Sequence, residues 1–207
     1  MSAINREKLI ALINEEKAER RLVVTPLLSP NQIGPGSIDV RLGSSIIVPK
    51  RTFVASHDVT KKSKISQVES RLYQRLRLRY KSEFILHPNQ LILAVTFEYL
   101  SLPANLFCQV ASRSSWGRLG IVVATASVVQ PGFKGSITLE LANLSDSPVS
   151  LYPGLSIGQL VFFEVSDPRA GAIAYQGRYE CPTEAGLPQF YANSGDDEME
   201  FWGNHQE

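Results

Sequence analysis

Residues 112–120 read Ser-Arg-Ser-Ser-Trp-Gly-Arg-Leu-Gly, placing two cations, three hydroxyls and two glycines within nine residues. Successive main-chain N–H groups with Ser and Arg donors suit a cluster of anionic oxygens. A Ser/Gly-rich turn with an N-capping serine accounts for the same residues equally well. Eleven residues after Gly120 comes a turn, Pro131-Gly-Phe-Lys-Gly135, and then Ser136-Ile-Thr-Leu-Glu-Leu-Ala-Asn143. Alternation predicts a strand here, with Ile137, Leu139 and Leu141 on one face and Thr138, Glu140 and Ala142 on the other. A lone Glu in an apolar strand has two readings. Outward, it is an ordinary solvated carboxylate. On a covered face it needs a partner, and burial favours a carboxyl's neutral form, which suits it to giving and taking protons.

Other familiar chemistry is missing. The chain has no Walker sequence, no G-x-G-x-x-G and no G-x-S-x-G. His205 opens an H-x-E triplet with Glu207, but no P-C-x-x-C follows, which argues against a zinc deaminase of the cytidine type. His57 and His87 lie in polar or turn contexts. Cys108 and Cys181 are too few for a disulfide framework or a four-thiolate zinc site. No zinc is expected. Asn143-Leu-Ser145 matches a glycosylation triplet without consequence in a cytoplasmic protein.

The elements that must position these residues are mostly strands. Asn5 to Lys17 reads as an N-terminal helix within residues 1–20, capped by Ser2 or Asn5, with Leu9, Ile10, Leu12 and Ile13 on one side. Beyond Pro26 the helical period ends. Ser37-Ile-Asp-Val-Arg-Leu-Gly43 alternates as a half-buried strand, and Ser45–Pro49 suggests a second. Residues 55–70 read as a polar loop or irregular insertion. Leu72–Tyr80 carries Arg75, Arg77 and Arg79 and reads as a strand with one basic, solvated face. Short apolar runs then recur at Phe84, Leu91, Phe107, Gly120, Ser136 and Leu160, separated by Pro and Gly. This pattern predicts a mainly β sandwich or barrel-like fold. Residues 167–207 read as a tail or lid.

Composition agrees with one soluble domain over 1–207. The chain has 207 residues, 43% hydrophobic and 20% charged, enough to bury a core without a metal or disulfide staple. A net charge of +1 gives no sign of a nucleic-acid or membrane surface. With no leader and no apolar run of bilayer length, the cytoplasm is the expected compartment.

Five blocks together resemble the dCTP deaminase family, which shares its fold with the dUTPases. They are Ser37–Gly43, Phe84-Ile-Leu-His-Pro88, Ser112–Gly120, Pro131–Glu140 and Tyr152-Pro-Gly-Leu-Ser-Ile-Gly-Gln-Leu160. They occur in that family's order and at close to its spacing, across about residues 30–183. The resemblance implies a dUTPase-like β-barrel or sandwich with a short N-terminal helix, assembled as a homotrimer with sites between subunits. It implies hydrolytic deamination of dCTP to dUTP and ammonia.

By resemblance, Glu140 is the proton shuttle while water attacks C4 of the cytosine ring. Ser114 and Arg118 line the same site and hold water, base or Glu. Arg113 and Ser115 are triphosphate or sugar contacts, and Thr138 and Leu139 set main-chain groups against the base. Tyr175 matches a tail tyrosine near the nucleotide, and Arg178-Tyr179 a Lys-Tyr pair whose cation meets the phosphates. Gln159 reads as structural. Magnesium is expected on the triphosphate, keeping much of its water shell. The chain departs from the family at Val129-Gln130, where members generally read Ile-Asp, and between Gly120 and Pro131, where it is one residue shorter. That Asp is associated with water activation for diphosphate release, so the neutral Gln130 in the nucleotide site predicts weak or no dUTP hydrolysis. A dUTP diphosphatase or bifunctional enzyme, and a non-catalytic nucleotide-binding regulatory protein, are the alternative readings; the expected partner is a small-molecule nucleotide, dCTP first, with dUTP and dTTP as the other candidates.

Overall fold

The structure, a computed structural model, describes residues 3–51, 71–125, 128–165 and 181–188. The N-terminal helix α1 (Arg6–Ile13) is capped by Asn5, whose side chain accepts the Lys8 N–H at 3.0 Å. It is shorter than its periodicity predicts. The Leu12 carbonyl, which another helical turn would use, instead accepts the N–H of Leu22 at 3.0 Å. Leu22 is fully buried, so the chain folds back to deliver it. Leu9 is buried and Leu12 and Ile13 pack on the core, but Ile10 faces out.

Strands dominate the other described residues: β1 (Val23–Thr25), β2 (Ile38–Pro49), β3 (Tyr73–Arg77), β4 (Phe84–Leu86), β5 (Leu91–Ser101) and β6 (Leu106–Ser112). A one-turn helix α2 (Ser114–Arg118) leads to β7 (Ile121–Val123), β8 (Val128–Val129), β9 (Lys134–Asn143), β10 (Val149–Leu151) and β11 (Ser156–Glu164). All pairings are antiparallel, in the order β7-β9-β5-β2-β11-β6-β8, with β1 added to β5 and β3 to β2. β4 and β10 form a separate pair. β7 and β8 stand at opposite ends of that order, yet only residues 124–127 separate them. So short a connection requires the sheet to curl until its ends approach.

The two strands expected at residues 37–49 are one. Its pairing with β5 shifts register between Leu42 and Ile46, a bulge that lets a single strand bend round the core. Gly43 stands at the bend, where a Cβ would lie 2.8 Å from the Val95 carbonyl oxygen. The predicted alternation holds before it: Ile38, Val40 and Leu42 are at most 1% exposed, while Asp39 and Arg41 face the other way. The basic segment is an edge strand on β2, with Arg75 and Arg77 exposed. Phe162, Leu106, Leu139 and Leu141 are among the side chains filling the interior.

Candidate active site

β9 carries the site because its two faces separate as alternation requires. Ile137, Leu139 and Leu141 are buried on the core face, while Ser136, Thr138 and Glu140 line a cavity of about 450 Å³ that Ile137 also borders. Leu91, Leu93, Val129 and Phe133 give it an apolar wall, and Thr125, Gln130 and Ser136 add neutral polar groups. Glu140 is the one ionisable residue lining it among those described. Its Oε2 is buried and has no hydrogen-bond partner among the described residues. A buried acceptor left so is costly unless something else meets it, and is the feature expected of a group held ready for a ligand.

The Glu140 backbone is held firmly. Its N–H donates to Thr125 Oγ1 at 3.0 Å, and its carbonyl accepts the Ala124 N–H at 2.7 Å. These contacts fix the directions along the strand. Main-chain groups of alternate residues point to the same edge, so those of Thr138 point the way Glu140's do, past the end of β7 at Val123. Those of Leu139 point to β5, where it pairs with Ala94. The Thr138 main-chain groups therefore lie on the cavity side, whereas the Leu139 backbone is spent on the ladder and its side chain is 0% exposed in the core.

Residues 181–188 cross over β9 and close one wall through Pro182, Gly186 and Pro188. The Ser136 N–H donates to the Pro182 carbonyl at 2.7 Å, and the Gly186 N–H to Thr138 Oγ1 at 3.0 Å. Ala185 is buried against Ile47, Leu93 and Val95. Gly135 permits the crossing, since a Cβ there would lie 2.4 Å from Pro182 Cδ. The basic edge strand takes part: Arg75 Nη1 donates to the Ala185 carbonyl at 3.4 Å, and Arg77 lies 3.5 Å from Glu184.

The Ser112–Gly120 block forms the end of β6, the turn into α2 and α2 itself. Arg113 is the N-cap position but provides no side-chain cap. Its guanidinium pairs with Asp39 and donates to Ser156 Oγ at 2.9 Å. Trp116 Nε1 donates to the Ser156 carbonyl at 2.7 Å. Ser114, Ser115 and Arg118 are exposed. None of the α2 residues lines the cavity, so one chain by itself does not join Ser114 and Arg118 to Glu140. Gln130 does line it. Gln159 pairs with Asp39 across the ladder and accepts from Ser37 Oγ at 3.2 Å. Tyr175, Arg178, His57 and His205 lie outside the described residues.

Sequence reasoning missed Glu98. It is 2% exposed and its carboxylate accepts from Gln32 Nε2 at 2.8 Å, the Arg41 N–H at 2.8 Å and Arg41 Nη1 at 3.0 Å. Burial raises its pKa above the ordinary value of 4.5, against the lowering effect of its hydrogen bonds and of the Arg41 charge. The network pins β2 beside Asp39, whose carbonyl also accepts from Gln32 Nε2 at 2.9 Å.

A curled antiparallel sheet with a carboxylate on the cavity side of one strand defines a β-rich, small-molecule-sized site. The chain belongs to the dCTP deaminase-like family, whose model matches residues 6–165. It is 40% identical over 158 residues to a dCTP deaminase of Halorubrum lacusprofundi, covering 75% of this chain and 76% of that one. It is 42% identical over 152 residues to a dUMP-forming dCTP deaminase of Dictyoglomus turgidum, covering 72% and 76%. The crystal structure of 2'-deoxycytidine 5'-triphosphate deaminase from Agrobacterium tumefaciens matches with a TM-score of 0.57 at 22% identity. That match covers 77% of this chain and 47% of the longer Agrobacterium chain, and it shows a shared fold.

Proposed function

We propose that the protein hydrolyses dCTP, as its magnesium complex, to dUTP and ammonia. The observation that carries this is Glu140: a carboxylate on a pinned strand, with one buried oxygen unpartnered among the described residues, facing a cavity whose other described polar groups are neutral. Glu140 takes a proton from water as the oxygen attacks C4 and gives it to ring N3, then takes the proton of the new C4 hydroxyl and passes it to the amine, which leaves as ammonia as the C4 carbonyl forms. General acid–base help of this kind contributes about 10²–10⁴-fold. The neutral walls suit an uncharged pyrimidine ring, and the Thr138 main chain supplies a donor and an acceptor at its edge.

The phosphates need cations, and no Arg or Lys lines the cavity among the described residues. Arg113, Ser114, Ser115 and Arg118 sit on the α2 segment outside it. A homotrimer that sets α2 of one copy against the β9 cavity of the next unites the two halves. Arg113 and Ser115 then meet phosphate or sugar, and Ser114 and Arg118 meet water, base or Glu140. Tyr175 and Arg178 complete the phosphate contacts from the C-terminal segment.

Both dCTP deaminases and dUMP-forming ones stand among the relatives, so Gln130 bears on the product. A neutral amide cannot serve as the base for diphosphate release, and dUTP is the expected end product. The test is ammonia and nucleotide release from purified protein with dCTP, dUTP and Mg²⁺, beside Glu140→Ala, with the oligomer measured by light scattering. Glu140-dependent dUTP from a trimer supports the reading. Undiminished ammonia release by Glu140→Ala overturns it.

A further inference from the structure

We propose that Asp39 is a positioning residue for the nucleotide site, acting through Arg113. The inference rests on the deaminase reading, in which Arg113 meets the triphosphate. Arg113 has a long side chain with many rotamers, and its own helix does nothing to hold it: the N-cap position makes no side-chain cap bond. Its orientation is set from two other strands. Asp39 on β2 receives the guanidinium as an ion pair, and Ser156 at the start of β11 accepts from it at 2.9 Å. The Ser156 carbonyl also accepts Trp116 Nε1, tying α2 to the same point.

Asp39 can hold Arg113 because it is itself held. The Asp39 carbonyl accepts from Gln32 Nε2, and two residues along β2 the Arg41 N–H and guanidinium are taken by the buried Glu98. Across the ladder Asp39 pairs with Gln159, which is tied to Ser37. The stretch of β2 from Asp39 to Arg41 is thus a fixed platform, and Asp39 presents a carboxylate from it. The pair stays accessible, with side chains 38% exposed for Arg113 and 28% for Asp39. A guanidinium has five donors and Asp39 and Ser156 engage one nitrogen, so donors remain for a phosphate. Pre-orienting the fork lowers the ordering cost at binding.

Removing the carboxylate has two opposite effects. Losing a negative charge near the triphosphate favours binding, while freeing Arg113 opposes it. The charge is partly exposed and therefore screened, so loss of orientation wins. Asp39→Ala is expected to raise KM for dCTP roughly 10-fold with kcat changed by no more than about twofold. Asp39→Asn, which keeps an acceptor, recovers part of the loss. The full chain is used throughout, with dCTP binding followed by calorimetry and thermal melting as a check on folding. In an Arg113→Ala background, Asp39→Ala should have no further effect on KM or binding, a null result that general structural damage would not produce. A lower KM in Asp39→Ala, or additive losses in the double variant, overturns the assignment while leaving the deaminase reading intact. Unaltered protein that neither binds nor deaminates dCTP overturns both.

Discussion

The N–H of Glu140 donates to Thr125 Oγ1 at 3.0 Å, so the residue proposed to carry the chemistry is anchored to a second residue lining the same cavity. The Ala124 N–H on the Glu140 carbonyl makes the anchor two-sided. The carboxylate oxygens take no part in it, and Oε2 has no hydrogen-bond partner among the described residues. In the proposed function, backbone and side chain of Glu140 therefore have separate tasks, one structural and one chemical.

That separation makes Glu140→Gln an informative variant. The main-chain bonds persist and the amide fills the same volume, so folding and nucleotide binding should survive. Ammonia release should fall by about 10²–10⁴-fold. Since a buried oxygen without a partner among the described residues is being replaced by an uncharged group, the melting temperature should stay level or rise. Calorimetric binding of dCTP beside a steady-state ammonia assay checks both halves. Retained turnover would take the proton shuttle away from Glu140.

A second prediction concerns Gln130, which lines the same cavity from the residue after β8. As an amide it can orient water but cannot accept its proton. The unaltered protein should convert dCTP to dUTP and stop. Gln130→Asp puts a carboxylate in the wall, and should add dUMP and diphosphate to the products. Chromatography of a dCTP time course reads both. Equal dUMP from the two proteins would show that the base for diphosphate release lies elsewhere.

How much of the fold and site is legible in the sequence differs by element. β9 can be read from alternation because one face meets a tightly packed core, so the pattern is strict from Ile137 to Leu141. β1, β8 and β10, of two or three residues each, are too short to show a period. Glu98 is invisible for another reason. It sits within the apolar run of β5, and its partners Gln32 and Arg41 are 66 and 57 residues away. Only the bulged pairing of β2 with β5 brings them together. The proposed relation of Ser114 and Arg118 to Glu140 rests on family resemblance, because neither lines the Glu140 cavity within one chain.

The Glu98 network yields a pH prediction. Burial raises the Glu98 pKa, so the fold prefers its protonated form more than the unfolded chain does. Its stabilising contribution is then full below the ordinary value of 4.5 and is lost as pH climbs through the higher folded value. Glu98→Gln removes the titration. Compared by chemical denaturation from pH 4 to pH 8, roughly the span in which carboxylates and His titrate, the stability of the natural protein relative to Glu98→Gln should decline as pH rises. A rising difference would mean that the Arg41 ion pair outweighs desolvation.

The two thiols should separate by reactivity. Cys108 lies on β6, paired with Val129 and Phe162, at 0% exposure, and burial pushes its thiol far above the ordinary value. Only the thiolate attacks a disulfide reagent, so Cys108 is blocked by both access and ionisation. Cys181 is exposed at the start of the strap over the cavity, next to the Pro182 carbonyl that accepts the Ser136 N–H. An aromatic disulfide reagent should therefore label Cys181 alone in native protein, with Cys108 reacting only in denaturant. Cys181→Ser should abolish the native reaction. Because the adduct sits beside the Pro182–Ser136 bond, labelling should also disturb the strap and raise KM for dCTP, while Cys181→Ser leaves it near normal. Labelling of Cys108 in native protein, at a rate matching Cys181, would mean that β6 opens from the sheet without global unfolding.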